Sequence, residues 1–227
     1  MDAPDLAVET EGLGRRFGRR WALADVTLAV PAGARVMVTG RNGSGKSTLL
    51  RVLATASRVD LGAARVAGFD VKRQRAQVRR RVALLGHHSY LYEAFSARDN
   101  LVAAARFLGT PADRVEALLE RVGLAARAED PVSVFSAGMR KRLSLARALL
   151  QDATVLLLDE PYGELDPAGF ALLDRVLDEQ RAQGTTVLLA THLLEHGREL
   201  CDRAIALEEG RLVWSGPAAD LPAPGVL

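Results

Sequence analysis

The sequence has 227 residues, of which 48% are hydrophobic and 26% are charged, a composition typical of one folded domain with a sizeable core. Its net charge of +2 gives no general electrostatic reason for binding nucleic acid. The single cysteine, Cys201, excludes an internal disulfide and a cysteine metal cluster, and we expect it to be a small buried side chain.

The first third of the chain is predicted to be mainly β-structure. Residues 1–5 are acidic and lack the apolar segment of a secretion signal. Residues 6–10 alternate in polarity and predict an edge strand, residues 15–18 predict a turn, and residues 21–30 predict a second strand. The apolar run 35–39 predicts a buried strand.

A glycine-rich segment follows that buried strand and matches the phosphate-loop pattern G-x-x-x-x-G-K-[ST]. Its residues are Gly40, Arg41, Asn42, Gly43, Ser44, Gly45, Lys46 and Ser47, and helical spacing continues from Thr48. Glycines let backbone N–H groups turn inward and surround an anion. Lys46 can reach the β- and γ-phosphates of a nucleotide, and the Ser47 hydroxyl can ligand Mg²⁺. Lysine occurs only at positions 46, 72 and 141, which argues against a chance match.

The middle of the chain alternates short strands with helices. Residues 66–71 predict a short strand with a turn at Gly68, and residues 82–85 predict a buried strand. The basic segment 72–81 predicts a solvated helix face, with an anion- or membrane-facing patch as the alternative. Residues 97–150 predict a helical insertion. No stretch reaches the roughly 18 apolar residues of a spanning helix, so we expect any action at a membrane to depend on a partner.

Two adjacent carboxylates, Asp159 and Glu160, follow the apolar run 155–158. A buried strand has no structural use for them, because unpaired buried charge is expensive. Beside a phosphate loop, Asp159 suits Mg²⁺, directly or through water, and Glu160 can orient and polarise the attacking water. The alternative interpretation is a solvated strand end.

The last elements are predicted from their periodicity. Ser136 predicts the N-cap of a helix over residues 140–150, and a helix start built of small residues is also an anion site; the sequence leaves both interpretations open. We further expect an amphipathic helix over 170–183, a strand over 186–190 and a hairpin within 204–215.

In its order of motifs the chain resembles the nucleotide-binding subunit of an ATP-binding-cassette (ABC) transporter, from about residue 6 to residue 216. The matching stretches are an adenine-stacking aromatic at Phe17, the Walker A motif at 40–47, the signature at 135–139, the Walker B motif at 155–160, the D-loop at 164–166 and the switch histidine at His192.

The resemblance implies an α/β fold: a P-loop NTPase (RecA-like) core with an antiparallel β subdomain and an inserted all-helical signature subdomain. One ABC ATPase domain would span residues 1–227. Within it, residues 1–87 and 151–227 would form the core and β subdomain, and residues 88–150 the helical subdomain.

The resemblance also implies an ATP hydrolase that uses ATP and Mg²⁺. It would be a homodimer at the cytoplasmic face of the cell membrane, bound peripherally to transmembrane permease subunits and not to nucleic acid. Two ATP molecules would lie between the subunits. The residues implied to bind ATP in one subunit are Phe17 and positions 40–48; those implied from the second subunit are Ser136, Ala137, Gly138 and Asp166. The implied catalytic residues are Lys46, Glu160 and His192.

Two motifs depart from the family pattern. Ala137 and Met139 replace glycine and glutamine of the signature, and His87, followed by His88, stands where the family has glutamine. Histidine can ligand Mg²⁺ or hydrogen-bond a water, but its charge changes near neutral pH. The candidate metal ligands are therefore Ser47, Asp159 and His87.

Residues 85–92 and 136–138 are most similar to the haem-exporter subfamily of cytochrome c maturation, so haem is the expected cargo. The alternatives are the ATPase of a general drug, lipid or polysaccharide exporter, a soluble ABC ATPase acting on DNA or ribosomes, and a non-hydrolysing regulator. The single cassette argues against a soluble ABC ATPase acting on DNA or ribosomes. The intact Asp159–Glu160 pair argues against a non-hydrolysing regulator.

Two further sets of side chains are open to a structural interpretation. Tyr90, Tyr92 and Phe95 would be where a membrane partner docks, with core packing as the favoured alternative for each taken singly. His196 is expected to be a surface residue.

Overall fold

Two β-sheets organise the computed structural model, which describes residues 5–87 and 89–223. The expectations for residues 1–4 and for His88 lie outside the described residues. In chain order the strands are β1 (Leu6–Phe17), β2 (Arg20–Pro31), β3 (Arg35–Thr39), β4 (Leu61–Val66), β5 (Phe69–Asp70), β6 (Val82–Leu85), β7 (Val155–Asp159), β8 (Thr186–Ala190), β9 (Arg203–Glu208) and β10 (Arg211–Pro217). The α-helices are α1 (Lys46–Leu53), α2 (Arg75–Arg79), α3 (Ala97–Leu108), α4 (Arg114–Arg121), α5 (Ala137–Leu149), α6 (Pro167–Ala182) and α7 (Leu194–Leu200).

The smaller sheet is antiparallel, with strand order β2-β1-β4-β5. The expected edge strand at residues 6–10 is wrong, because β1 is longer and lies between β2 and β4. The strand expected at 66–71 is also displaced: β4 ends at Val66, a turn containing Gly68 follows, and β5 has only two residues. Similarly, β1 extends through the expected turn at 15–18 as far as Phe17.

The larger sheet has the order β10-β9-β3-β8-β7-β6 and is parallel apart from the β9–β10 hairpin. Every residue of β3, β7 and β8 is buried, as expected for parallel strands that are covered on both faces. Side chains alternate between two apolar cores. Leu156 and Leu158 pack with the helices that follow β6, whereas Val155 and Leu157 pack with α1 and the antiparallel sheet.

The described elements between β6 and β7 are helical, and side-chain caps fix the start of two of these helices. Ser96 accepts a hydrogen bond from the Asp99 amide at the start of α3, and Ser136 accepts one from the Met139 amide at the start of α5. The capping interpretation of Ser136 is therefore confirmed. The boundaries of a helical subdomain at residues 88 and 150 stay a prediction.

Helix α6 begins at Pro167, three residues before the expected start at residue 170, because Asp166 caps it and proline suits the first helical position. Cys201 is buried as expected, and burial raises the pKa of its thiol to about 12. Among the described residues, the helices are too short or too polar to cross a membrane.

Candidate active site

Neighbouring parallel strands bring the predicted site residues to one edge of the larger sheet. Strands β3, β8, β7 and β6 are adjacent and parallel, so their carboxyl ends lie on the same side. The residues that follow these ends are Gly40, His192, Glu160 and His87. In open α/β sheets this edge is the usual place for a ligand site.

The phosphate loop depends on glycine at specific positions. Gly40 has φ 138°, and a Cβ there would lie 2.1 Å from the Leu207 carbonyl oxygen. Gly45 has φ 111°, and a Cβ there would lie 2.6 Å from the Ala22 carbonyl oxygen. Any larger residue would therefore collide with backbone and adopt a strained conformation. The loop is shaped by its packing against β2 and β9.

Two buried polar side chains point to an anion at this loop. The Lys46 ammonium donates to the Gly40 carbonyl at 2.7 Å and to the Arg41 carbonyl at 3.2 Å, and the residue is buried. The Ser44 hydroxyl is also buried and has no hydrogen-bond partner within the described parts of the chain. Arg41, Asn42 and Gly43 are exposed. An anionic ligand would give Ser44 the partner that a buried hydroxyl requires.

Ser47 and Asp159 meet beside the loop. The Ser47 hydroxyl donates to Asp159 Oδ1 at 2.9 Å, and Asp159 is only 3% exposed. Hydroxyl and carboxylate oxygens are the hard donors that Mg²⁺ prefers, so this pair fits the predicted metal. Across residues 5–87 and 89–223, no cluster of three or more His, Cys, Asp or Glu side chains is placed to hold a metal ion.

Glu160 and His192 are in direct contact, although they are far apart in the sequence. The Glu160 Oε2 atom lies 2.9 Å from His192 Nδ1, and the His192 side chain is largely exposed. Glu160 has φ 48°, in the left-handed region that is strained for a residue with a side chain. Its backbone N–H donates to the Ala190 carbonyl at 2.9 Å and holds it there. The pair can bind a water and an anionic oxygen together.

Lys141 is a charged residue near the site that the motif analysis did not identify. Burial lowers the pKa of its ammonium group, and the carboxylates of Glu164, Asp159 and Glu160 oppose that shift. Lys141 lies on α5, five residues after Ser136, and it is one of the three lysines in the chain. That scarcity is the signal that could have found it.

The signature segment is built for a close approach of backbone. A Cβ at Gly138 would lie 2.9 Å from the Glu164 carbonyl oxygen, so the position accepts only glycine without movement. Ser136 is exposed and caps α5, while Asp166 caps α6 by accepting from the Gly169 amide at 2.8 Å. Within the described residues, no hydrogen bond joins residues 136–138 to the phosphate loop.

Phe17 presents an exposed aromatic ring at the end of β1, with 55% of the residue accessible. The Arg15 guanidinium lies 4.2 Å from the ring centroid and is held by Ser57 Oγ and Asp60 Oδ2, each at 2.8 Å. The Arg16 backbone N–H and the Arg15 guanidinium lower the pKa of the Asp60 carboxyl. A cation over a ring is favourable, so Arg15 steadies Phe17.

His87 lies in a cleft beside the start of the signature helix. It lines a cleft of about 220 Å³ with Ala137, Arg140, Lys141 and Glu164, whereas Ser47 and Asp159 do not line that cleft. Its role as a metal ligand therefore stays a prediction. The cleft does bring the substituted glutamine position next to the start of the signature helix.

We expect His87→Gln to leave or raise Mg²⁺-dependent ATP hydrolysis, because glutamine offers a donor and an acceptor whose charge does not change near neutral pH. The measurement is the steady-state rate of Mg²⁺-dependent ATP hydrolysis by the variant and by wild type. Ser89→Ala, which alters the same cleft, is the matched control. Complete loss of hydrolysis would contradict the expectation and would give His87 a role of its own.

Two structural expectations from the sequence are wrong. His196 is half-buried, not a surface residue, and its Nε2 atom lies 3.1 Å from Asp174 Oδ1. Tyr90, Tyr92 and Phe95 are exposed, so they do not form the core of the helical insertion. Sequence patterns could not show either result, because burial here depends on how distant helices pack.

Comparisons with known proteins agree with the geometry. A family model described as ABC transporter matches residues 23–163. The chain is 42% identical to the daunorubicin resistance ATP-binding protein DrrA3 of Streptomyces coeruleorubidus, over 96% of this chain and 71% of that protein. It is 35% identical to the Nod factor export ATP-binding protein I of Paraburkholderia xenovorans, over 96% of this chain and 73% of that protein.

Solved structures show the same fold. The structure of an ATP binding subunit of an ABC transporter superposes with a TM-score of 0.87 at 29% identity, over 94% of this chain and 91% of that one. The dimeric post-hydrolysis state of the ATP-binding cassette MJ0796, bound to ADP and Pi, superposes with a TM-score of 0.86 at 22% identity, over 93% and 98%. The predicted P-loop NTPase fold class is confirmed.

Proposed function

The chain belongs to the ABC transporter family and is an ATP hydrolase of that family, and from this premise we propose that it powers a drug exporter as a homodimer bound to a membrane permease. The observation that carries the proposal is the contact between Glu160 and His192 beside a complete phosphate loop. A binding protein without hydrolysis would have no use for a carboxylate held in a strained conformation at this place.

ATP binding is assigned to the phosphate loop and to Phe17. The Lys46 ammonium, which bonds two loop carbonyls, would bond phosphate oxygens instead, and the Ser44 hydroxyl would gain a partner. The amino-terminal N–H groups of α1 add partial positive charge. The exposed ring of Phe17 would stack on adenine.

Mg²⁺ is assigned to Ser47 and Asp159, whose oxygens already meet. When bound there, the ion neutralises developing charge on the phosphate oxygens. Asp159 is buried, so its carboxylate is positioned by the strand before the ligand arrives.

Hydrolysis is assigned to Glu160 and His192. Glu160 would orient a water and accept its proton as the water oxygen attacks the γ-phosphorus, while the bond from phosphorus to the ADP oxygen breaks. His192 Nδ1 would donate to the Glu160 carboxylate, and only in the imidazolium form, in which both ring nitrogens carry a proton, would Nε2 also donate to the γ-phosphate. The structure thus supports two roles for one contact: water orientation and phosphate alignment.

A second subunit is assigned to complete the site. The residues at the start of α5 form no hydrogen bond with the phosphate loop among the described residues, and Ser136 is exposed. The amino-terminal N–H groups of α5 would face the γ-phosphate of an ATP held by the other chain, and so would the segment around Asp166.

An apolar groove is our candidate for the surface that binds the permease. A cavity of about 520 Å³ lies beside α3, and its lining includes Tyr90, Tyr92, Phe107 and Leu108. Phe107 is 92% exposed, which is exceptional for a phenylalanine. Exposed aromatic rings around a groove mark an interaction site, and we assign it to a helix of the permease on the cytoplasmic side of the membrane.

The relatives favour drug export over haem export. The haem assignment depended on the two short stretches 85–92 and 136–138. The similarity to a daunorubicin resistance protein extends over 96% of the chain, and the second relative compared is named for Nod factor export. We therefore propose the general-exporter alternative, with a drug-like molecule as cargo.

We expect cells that express the chain with its permease to keep less daunorubicin than cells without it, and Phe107→Ser to lose that difference. The serine removes the apolar contact with the permease but lies outside the ATP site, so hydrolysis by the purified chain should be unchanged. The measurement is the fluorescence of retained daunorubicin together with the ATPase rate.

Leu61→Ser is the control, because Leu61 is also an exposed apolar residue and lies on β4, away from the groove. It should leave drug retention low. Equal retention with and without the wild-type chain would contradict drug export. A loss of cytochrome c on deletion of the gene would instead support the haem interpretation.

A further inference from the structure

A cluster of three polar side chains joins the segments that follow β7 and β8. The Tyr162 hydroxyl donates to Asp174 Oδ1 at 2.5 Å, and His196 Nε2 lies 3.1 Å from the same oxygen. Tyr162 is only 3% exposed, and the other two side chains are half-buried. None of the three belongs to a motif that predicts ATP binding or hydrolysis.

Aromatic packing joins the same residues to two helices. The Tyr162 ring centroid lies 4.8 Å from that of Phe170 on α6, and 4.7 Å from that of His196 on α7. The planes of Tyr162 and His196 are at 88°, an edge-to-face contact of the favourable kind. Tyr162 is therefore held between α6 and α7.

The Tyr162 hydroxyl keeps its proton. Burial raises the pKa of this phenol, and the hydrogen bond to the Asp174 carboxylate raises it further. The hydroxyl therefore remains a donor to Asp174 near neutral pH.

Each end of the cluster is close in sequence to one member of the catalytic pair. Tyr162 is two residues after Glu160, and His196 is four residues after His192. The left-handed conformation of Glu160 persists only if its surroundings hold it, and the buried Pro161 and Tyr162 anchor the segment on its carboxyl side. On the other side, His196 ties α7, and with it the segment that carries His192, to the same carboxylate.

We propose that Tyr162, Asp174 and His196 are positioning residues that set the separation of Glu160 and His192 during hydrolysis. This inference rests on the proposed roles of Glu160 and His192. The cluster joins the two catalytic segments through one acceptor atom, Asp174 Oδ1. A loss of either hydrogen bond would let the carboxylate and the imidazole drift apart, and a small misplacement at such a site costs rate and not binding.

The test compares Tyr162→Phe with wild type in the purified chain. Phenylalanine keeps the ring packing but removes the hydrogen bond to Asp174. We expect kcat to fall about tenfold, with the KM for ATP within about twofold of wild type, because the phosphate loop is untouched. Asp174→Asn, which keeps an acceptor oxygen, should retain most of kcat, whereas Asp174→Ala should lose it about as Tyr162→Phe does.

Glu195→Gln is the control, since Glu195 precedes His196 on α7 and its side chain is exposed. It should leave kcat unchanged. Three results would overturn the inference. They are an unchanged kcat in Tyr162→Phe, a rise in its KM for ATP as large as the fall in its kcat, and an equal loss of kcat in Asp174→Asn and Asp174→Ala. A further variant, Glu160→Gln, distinguishes a failure of the proposed function from a failure of this inference. If it hydrolyses ATP normally, the proposed function of Glu160 fails; if it is inactive while Tyr162→Phe is normal, only this inference fails.

Discussion

Replacing Glu160 with glutamine is expected to abolish ATP hydrolysis while preserving ATP binding, so that the chain accumulates as an ATP-bound dimer. Glutamine has nearly the same shape and can still hydrogen-bond His192, but it cannot accept a proton from water. General-base catalysis typically contributes about 100-fold to 10,000-fold, so hydrolysis should fall by at least about 100-fold. The phosphate loop is unchanged, and the ATP that joins the subunits is no longer consumed.

The dimer is measured by size-exclusion chromatography with and without ATP. Wild type should be dimeric only transiently, since hydrolysis removes the shared ligand, whereas Glu160→Gln should elute as a dimer with ATP and as a monomer without it. Glu195→Gln, an exposed carboxylate on α7, should behave as wild type. A variant that stays monomeric with saturating ATP would count against the two-subunit site.

The sequence was most informative where local chemistry decides the structure. The predicted strands at 35–39 and 82–85 coincide with β3 and β6, because short apolar runs bounded by glycine leave few alternatives. Strand β4 was missed because its residues Leu61, Gly62 and two alanines have weak strand propensity. These residues form a strand because they pair with β1, and that pairing is a tertiary contact.

The site shows the same division between local and distant information. The loop around Lys46 follows from one continuous motif, and its glycines are required by nearby backbone carbonyls. The Glu160–His192 contact joins residues 32 positions apart. The sequence motifs therefore identify both residues but do not predict that they are in contact. The cluster of Tyr162, Asp174 and His196 carries no motif at all, because its members come together only when α6 and α7 pack beside β7.

Lys46→Ala is expected to abolish ATP binding, not only hydrolysis. The Lys46 ammonium is buried within the loop and bonds two loop carbonyls, so it is placed to bond the phosphates of an ATP held there. A hydrogen bond to a charged group contributes about 1.5–3 kcal/mol, and two such bonds lost from a buried site correspond to at least about a 100-fold loss of affinity. Titration with ATP by isothermal calorimetry gives the measurement.

The control for that loss is Lys72→Ala, since Lys72 is an exposed lysine outside the loop. It should bind ATP as wild type does, and circular dichroism should show both variants folded. Lys46→Ala should also fail to form the ATP-dependent dimer in combination with Glu160→Gln, because no shared nucleotide remains to join the subunits. Unchanged ATP affinity in a folded Lys46→Ala chain would refute the assignment of residues 40–47 as the phosphate loop. ATP binding thus tests the assignment of residues 40–47, and dimer trapping tests the role of Glu160 in hydrolysing the bound ATP.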